Sequence, residues 1–313
     1  MLFLVNRLLS VFLTLLLISI ITFAVTNILP GDVAMMIMGT QSNPEALAGL
    51  RESLGLNDPL FVQYARWIGG LLTGDWGTSL VFKEPIGPLI ADKVVASALI
   101  VVMSMAIALS AAIPLGVWAA IHRDRWQDNA ASASALVGVS LPDFFWGIML
   151  ILLFASVLGW LPSSGFVHPA EDFFGALRHA FLPSLALGLG LMAHLTRMTR
   201  ATMVSILQQD FIRVARAKGL PERSVIWGYG LRNAIGPVVT VAGLQVGYLF
   251  GSIIVIESLF NFTGMGWLTY QALLNRDIPL IQSTVFVIAA VVMLTNLIVD
   301  LIYMVIDPRL RAT

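Results

Sequence analysis

The 313-residue chain contains no cysteine, which excludes disulfides, thiolate metal sites and cysteine nucleophiles. Charge is scarce too: Asp, Glu, Lys and Arg make up 12% of the residues, where a soluble domain carries about 25%. With 58% hydrophobic residues, this composition describes a polytopic membrane protein. No glycine-rich loop followed by Lys and Ser or Thr is present to cradle nucleotide phosphates. The histidines, His122, His168, His179 and His194, show neither paired nor His-Glu-x-x-His spacing for a metal. Ser163, Ser164 and Gly165 follow Pro162 in a turn and lack the strand-to-helix context of a nucleophile elbow. The chain is therefore expected to be non-enzymatic, with no cofactor, metal or nucleic-acid partner. Any energy the protein uses must come from a partner or an ion gradient.

What the sequence does have is long apolar runs. A spanning helix needs about 20 apolar residues, and six segments qualify: Leu8 to Leu29, Ser97 to Ile121, Ala131 to Leu158, Leu182 to Met203, Val238 to Ile256 and Ser283 to Ile306. With the N-terminus inside, the inner segments hold Arg7, Arg123, Arg125, Arg197, Arg200, Arg213, Arg216, Lys218, Arg223, Arg232, Arg309 and Arg311. The outer segments hold only Arg51, Arg66, Lys83, Lys93, Arg178 and Arg276. This asymmetry predicts cytoplasmic termini. A cleaved signal peptide is the rival for the first segment, but its apolar run exceeds the usual 7 to 15 residues. The loop 30–96 is long enough for a small external subdomain, whose Tyr64, Trp67 and Trp76 either pack locally or lie at the membrane interface. No repeat, linker or low-complexity tract divides the chain, so residues 1–313 read as one membrane domain.

One stretch, Gln209 to Pro237, is basic where its neighbours are apolar. Leu207, Phe211, Val214 and Lys218 recur at steps of four, three and four, which predicts a short amphipathic helix with one apolar and one basic face. Gly219 suits a left-handed residue just past its end and Pro221 cannot continue it, so the helix should stop after roughly three turns. Such an element fits a docking surface outside the lipid; a helix lying on anionic lipid is the alternative. Ionisable residues within spans are expensive, and Asp143, His194, Glu257 and Asp300 are the candidates. Asp143 and Glu257 sit near span ends, which favours interfacial placement over a proton relay. Asp300 shares a helix face with Asn296 and suits a helix-helix hydrogen bond. The thirteen methionines are read as apolar packing.

A set of local patterns follows one another in order: Leu29-Pro30-Gly31-Asp32; Leu54 to Leu60 with Gln63 and Tyr64; Gly74 to Ser79; Gly159 to Gly165; Arg232-Asn233-Ala234 with Pro237; Glu257, Phe260, Gly264 and Gly266; Arg276, Asp277 and Pro279; and Asn296, Leu297, Asp300, Tyr303, Asp307, Pro308 and Arg309. Together they resemble, nearly end to end, the membrane permease subunit of the dipeptide, oligopeptide and nickel branch of bacterial ABC importers. The resemblance implies an all-α type I importer permease with about six transmembrane helices, in a bacterial inner membrane.

It also implies that residues 204–237 form a cytoplasmic coupling region. Val214, Ala215 and Gly219 fall on the family's coupling motif, and Asp210, Phe211, Arg213, Val214, Ala215, Arg216, Ala217, Lys218, Gly219, Leu220 and Pro221 are the implied ATPase-coupling residues. Phe211, Val214 and Ala215 would form a dry anchoring face. Arg213 stands where other ABC importers often have Glu, and Ile235-Gly236-Pro237 lies farther from Gly219 than in the general pattern. The implied partners are two ATPase subunits, an external substrate-binding protein and a second, similar permease, with a homodimer as the alternative to that heterodimer. The substrate would be a short peptide or a related solute: glutathione, a nickel chelate or an oligosaccharide. A stand-alone ion-coupled carrier or channel is the competing function.

Overall fold

The computed structural model describes residues 2–28, 34–35, 43–53 and 55–306. The patterns at Leu29 to Asp32, at Leu54 and at Asp307 to Arg309, and Arg311 with them, lie outside the described residues. Helices dominate, and among the described residues the only extended pairing is a single bridge between Thr78 and Pro85.

The chain divides into two compact units, residues 1–96 with 263–293, and residues 97–262 with 294–313. The first contains α1 (Leu2–Ile28), α2 (Pro44–Ser53), α3 (Leu60–Thr73), the start of α4 (Ile86–Ile121), α10 (Met265–Leu274) and the start of α11 (Ile278–Ile306). Its core sets Ile86 and Ile90 against Met265, Leu268, Ala272, Leu280 and Ile281. A polar clamp closes it: the buried carboxylate of Asp277 accepts from Ser79 Oγ at 2.6 Å, from the Val81 amide at 3.1 Å and from the Leu280 amide at 3.3 Å. Two aromatic residues of the 30–96 loop pack on the long helices. Tyr64 and Trp67 of α3 contact Phe23 of α1, Trp67 also meets Phe286 of α11, and the Tyr64 hydroxyl shares a 2.7 Å hydrogen bond with Ser19.

The second unit continues α4 and adds α5 (Trp126–Ser140), α6 (Asp143–Leu150) with a π-helical extension Ile151–Val157, α7 (Phe173–Leu207), α8 (Asp210–Ala217), a second π-helical segment Ser224–Leu231, and α9 (Arg232–Leu259). α5, α6 and α9 pack on α7. Small residues permit the close approach typical of helices in lipid: a Cβ on Gly188 would lie 3.3 Å from the Ser104 carbonyl, and one on Gly138 would lie 3.0 Å from Ala193.

Among the described residues five helices are long and apolar enough to cross a membrane, and a sixth crossing requires treating α5 and α6 with its π extension as one span bent by 99°. The expected continuous helix Ala131 to Leu158 is therefore broken. Pro142 supplies no amide hydrogen and forces the residue before it out of helical geometry, and Leu141 is extended at φ −98°, ψ 133°. The other helices start earlier than their apolar runs: α4 at Ile86, α7 at Phe173, α9 at Arg232 and α11 at Ile278. Hydropathy registers only the lipid-compatible part of a helix, whereas backbone hydrogen bonding continues past it.

Candidate functional site

α8 is the short basic helix expected between Gln209 and Pro221, and it has about two turns in place of three. It begins after extended Gln209, and Asp210 in the first turn favours the positive end of the helix dipole. Its end is a Schellman motif: the Gly219 amide donates to the Arg216 carbonyl at 2.9 Å and the Leu220 amide to the Ala215 carbonyl at 3.4 Å. Gly219 takes φ +77°, the left-handed conformation for which glycine carries no Cβ penalty. A Cβ there would meet nothing within 4 Å. Pro221 then opens the next helical segment, its carbonyl accepting from the Ser224 and Val225 amides at 2.8 and 3.1 Å.

The faces of α8 differ from the expected pattern. Ile212 and Ala215 point inward and are buried against Val225, with Leu207 and Leu220 at the edge of the cluster. Phe211 and Val214, 37% and 53% exposed, form a second apolar strip on the outside. Ala215 and Leu207 therefore belong to the platform beneath the helix and not to the outward face. Periodicity could not separate these two sides, because in eight residues an apolar stripe and its neighbour are about 100° apart.

The basic residues are partly neutralised within the chain. Arg213 pairs with Asp210 at 3.1 Å, and Arg216 grips Glu222 through two nitrogens at 2.6 and 3.2 Å. The Arg216 guanidinium holds the Glu222 carboxyl below its ordinary range, and the carboxylate in turn raises Arg216. Lys218 and Ala217 are exposed, and Lys218 has no ion pair among the described residues.

Behind α8, the ends of the long helices are tied together by a pair that sequence reading missed. Arg200 of α7 forms a two-pronged ion pair with the buried carboxylate of Asp128 on α5, which also accepts from the Asp124 amide at 3.0 Å. The available signal was Arg200 itself, since a charge inside an apolar run needs a partner. Nearby, Val117, Ala120, Met203 and Ala234 form a small core.

The four ionisable candidates lie on four different helices, α6, α7, α9 and α11. Glu257, expected at an interface, is fully buried within its unit and accepts from Ser97 Oγ at 2.5 Å. Asp143 begins α6 and accepts from the Tyr248 hydroxyl at 3.2 Å, while His194 Nδ1 lies 3.4 Å from Arg197. Asp300 is half-buried on α11. Among the described residues no three His, Asp or Glu side chains are grouped to hold a metal ion.

Comparison with known proteins bears on this geometry. The family described as binding-protein-dependent transport system inner membrane component matches residues 112–312, and the corresponding N-terminal family matches residues 1–85. The glutathione transport system permease protein GsiC of Salmonella paratyphi A is 38% identical over 309 residues, 99% of this chain and 98% of that protein. A putative peptide transport system permease protein of Brucella abortus is 38% identical over 296 residues, 95% of this chain and 94% of that protein. Among solved structures, an inward-facing form of the MetNI methionine ABC transporter matches with a TM-score of 0.59 at 16% identity, covering 70% of this chain and 96% of that one, a likeness of fold.

Proposed function

The chain belongs to the family of binding-protein-dependent transport system inner membrane components, and from that premise we propose that Asp210 to Pro221 is the element through which a partner ATPase drives it. It is the non-catalytic permease subunit of an ABC importer, with ATP hydrolysis and substrate capture assigned to separate partners. The observation that supports the coupling role is the two-sided α8. Ile212 and Ala215 lock the helix to the chain through Val225, while Phe211 and Val214 remain outside beside Arg213 and Lys218. A lever needs this combination, a rigid attachment behind and an apolar grip in front.

In this reading the chain is a single membrane domain with residues 204–237 cytoplasmic, residues 30–96 external and both termini inside, as the distribution of Lys and Arg favours. Two ATPase subunits close on ATP and move the α8 helices of a pseudo-twofold pair, this chain and a second similar permease, so that the path between them opens alternately to either side. An external binding protein delivers the substrate, a short peptide or a related solute. The names of the glutathione and peptide relatives support that class.

The test uses proteoliposomes containing the complete importer, with radiolabelled dipeptide and glutathione, and compares wild type, Gly219→Ala and Gly219→Trp. Alanine introduces only the strain of a left-handed non-glycine residue, about 1 kcal/mol. Tryptophan projects into space that this chain leaves open and that a docked ATPase would fill. Uptake retained with alanine and lost with tryptophan, while ATP hydrolysis persists, is the expected result. Normal uptake with tryptophan at equal protein levels would move the coupling element elsewhere, and uptake without any ATPase would favour an ion-coupled carrier.

A further inference from the structure

The π-helical segment Ser224–Leu231 carries two surfaces. One, through Val225, is the seat of α8. The other is an open depression of about 830 Å³ bounded by Arg223, Trp227, Tyr229 and Arg232. π-helical winding creates this second face. Arg223 and Arg232 are nine residues apart, which in an α-helix of 3.6 residues per turn places them on opposite sides. Across a π-helix, whose i→i+5 bonding gives about 4.4 residues per turn, the same nine residues make close to two full turns. The two guanidinium groups therefore share one face, with Trp227 between them along the column. Neither arginine has an ion pair among the described residues, and the neighbouring Glu222 is already taken by Arg216. Trp227 and Tyr229 are 46% and 44% exposed.

We propose that this face binds the phosphate of an anionic phospholipid headgroup. Paired guanidinium groups match phosphate oxygens. Exposed Trp and Tyr rings are favoured at the headgroup level, and the segment leads directly into α9, one of the apolar helices long enough to cross the membrane. Because Val225 lies on the same eight-residue segment as the seat of α8, an occupied headgroup site braces the platform that carries the coupling helix. The site is independent of what α8 docks against.

The experiment is native mass spectrometry of the purified importer complex titrated with phosphatidylglycerol, phosphatidylcholine or inorganic phosphate. Wild type is compared with Arg223→Gln/Arg232→Gln, with Trp227→Ala, and with Arg123→Gln/Arg125→Gln as an equal change of charge elsewhere. Wild type and the control double variant should retain phosphatidylglycerol in preference to phosphatidylcholine. The Arg223/Arg232 variant should lose about 30-fold in affinity, with a smaller loss for Trp227→Ala. Inorganic phosphate binding to the same arginines as tightly as the lipid would assign the site to a free anion and overturn the lipid reading. Unchanged phosphatidylglycerol retention in the Arg223/Arg232 variant would overturn the site, as would unchanged retention accompanied by loss of the ATPase or of the second permease, which would make the face a protein contact.

Discussion

Single residues here do most of their work as clamps. Asp277 is the clearest case: three donors converge on a fully buried carboxylate, and Asp277→Ala would strand the Ser79 hydroxyl and two amides. The expected cost is on the order of 3 kcal/mol, read as a lower unfolding midpoint of the purified complex, with Asp277→Asn losing less. Glu222 shows the opposite regime. Its pair with Arg216 is about half exposed, so Glu222→Gln should change stability by less than about 1 kcal/mol. Because its folded value lies below the ordinary 4.5, the pair stabilises above that pH and its contribution is lost as pH falls through the depressed value, with Arg216 charged throughout. Melting curves of wild type and Glu222→Gln should therefore differ at neutral pH and converge in acid once the pH falls below the depressed value. Sequence alone exposed the individual actors at this scale, Asp277 inside a recognisable pattern and Arg200 inside an apolar run. It could not supply Ser79 or Asp128 as their partners, because pairing across 198 and 72 positions is decided by tertiary packing.

Among the elements, α8 depends on a small platform. Ile212, Ala215 and Val225 are the buried contacts that hold an eight-residue helix, too short to be stable by propensity. Ile212→Ala should cost about 2 kcal/mol locally. Hydrogen exchange should accelerate in Asp210 to Lys218 and leave the amides of α7 protected. Equal acceleration in α7 would mean that the platform is continuous with the larger core. The stop signals of this helix, Gly219 and Pro221, were legible because each acts through its own backbone. The inward turn of Ala215 was not, since it depends on where Val225 lies. The break at Leu141 and Pro142 had a legible cause, but the apolar composition on both sides concealed its 99° consequence. The π-helical segment after Arg223 left no readable signal, because π winding competes with α winding over the same residues and only packing chooses between them.

For the whole molecule, membrane residence and the number of apolar segments follow from composition, and the family resemblance agrees with matches covering residues 1–85 and 112–312. In the function proposed above, an ATPase grips α8 through its outward strip. A chain with no cysteine allows this to be measured directly. Val214→Cys and Ile212→Cys, each the only thiol in this subunit, are treated in native membranes with a short thiol-to-amine crosslinker, with the cysteine-free wild type as background. The expected result is an ATPase adduct from Val214→Cys, changing in yield with ATP, and none above background from the buried Ile212→Cys. Adducts to the ATPase from neither position, with Val214→Cys labelled only by lipid-soluble reagent, would place α8 on the membrane surface and contradict the account.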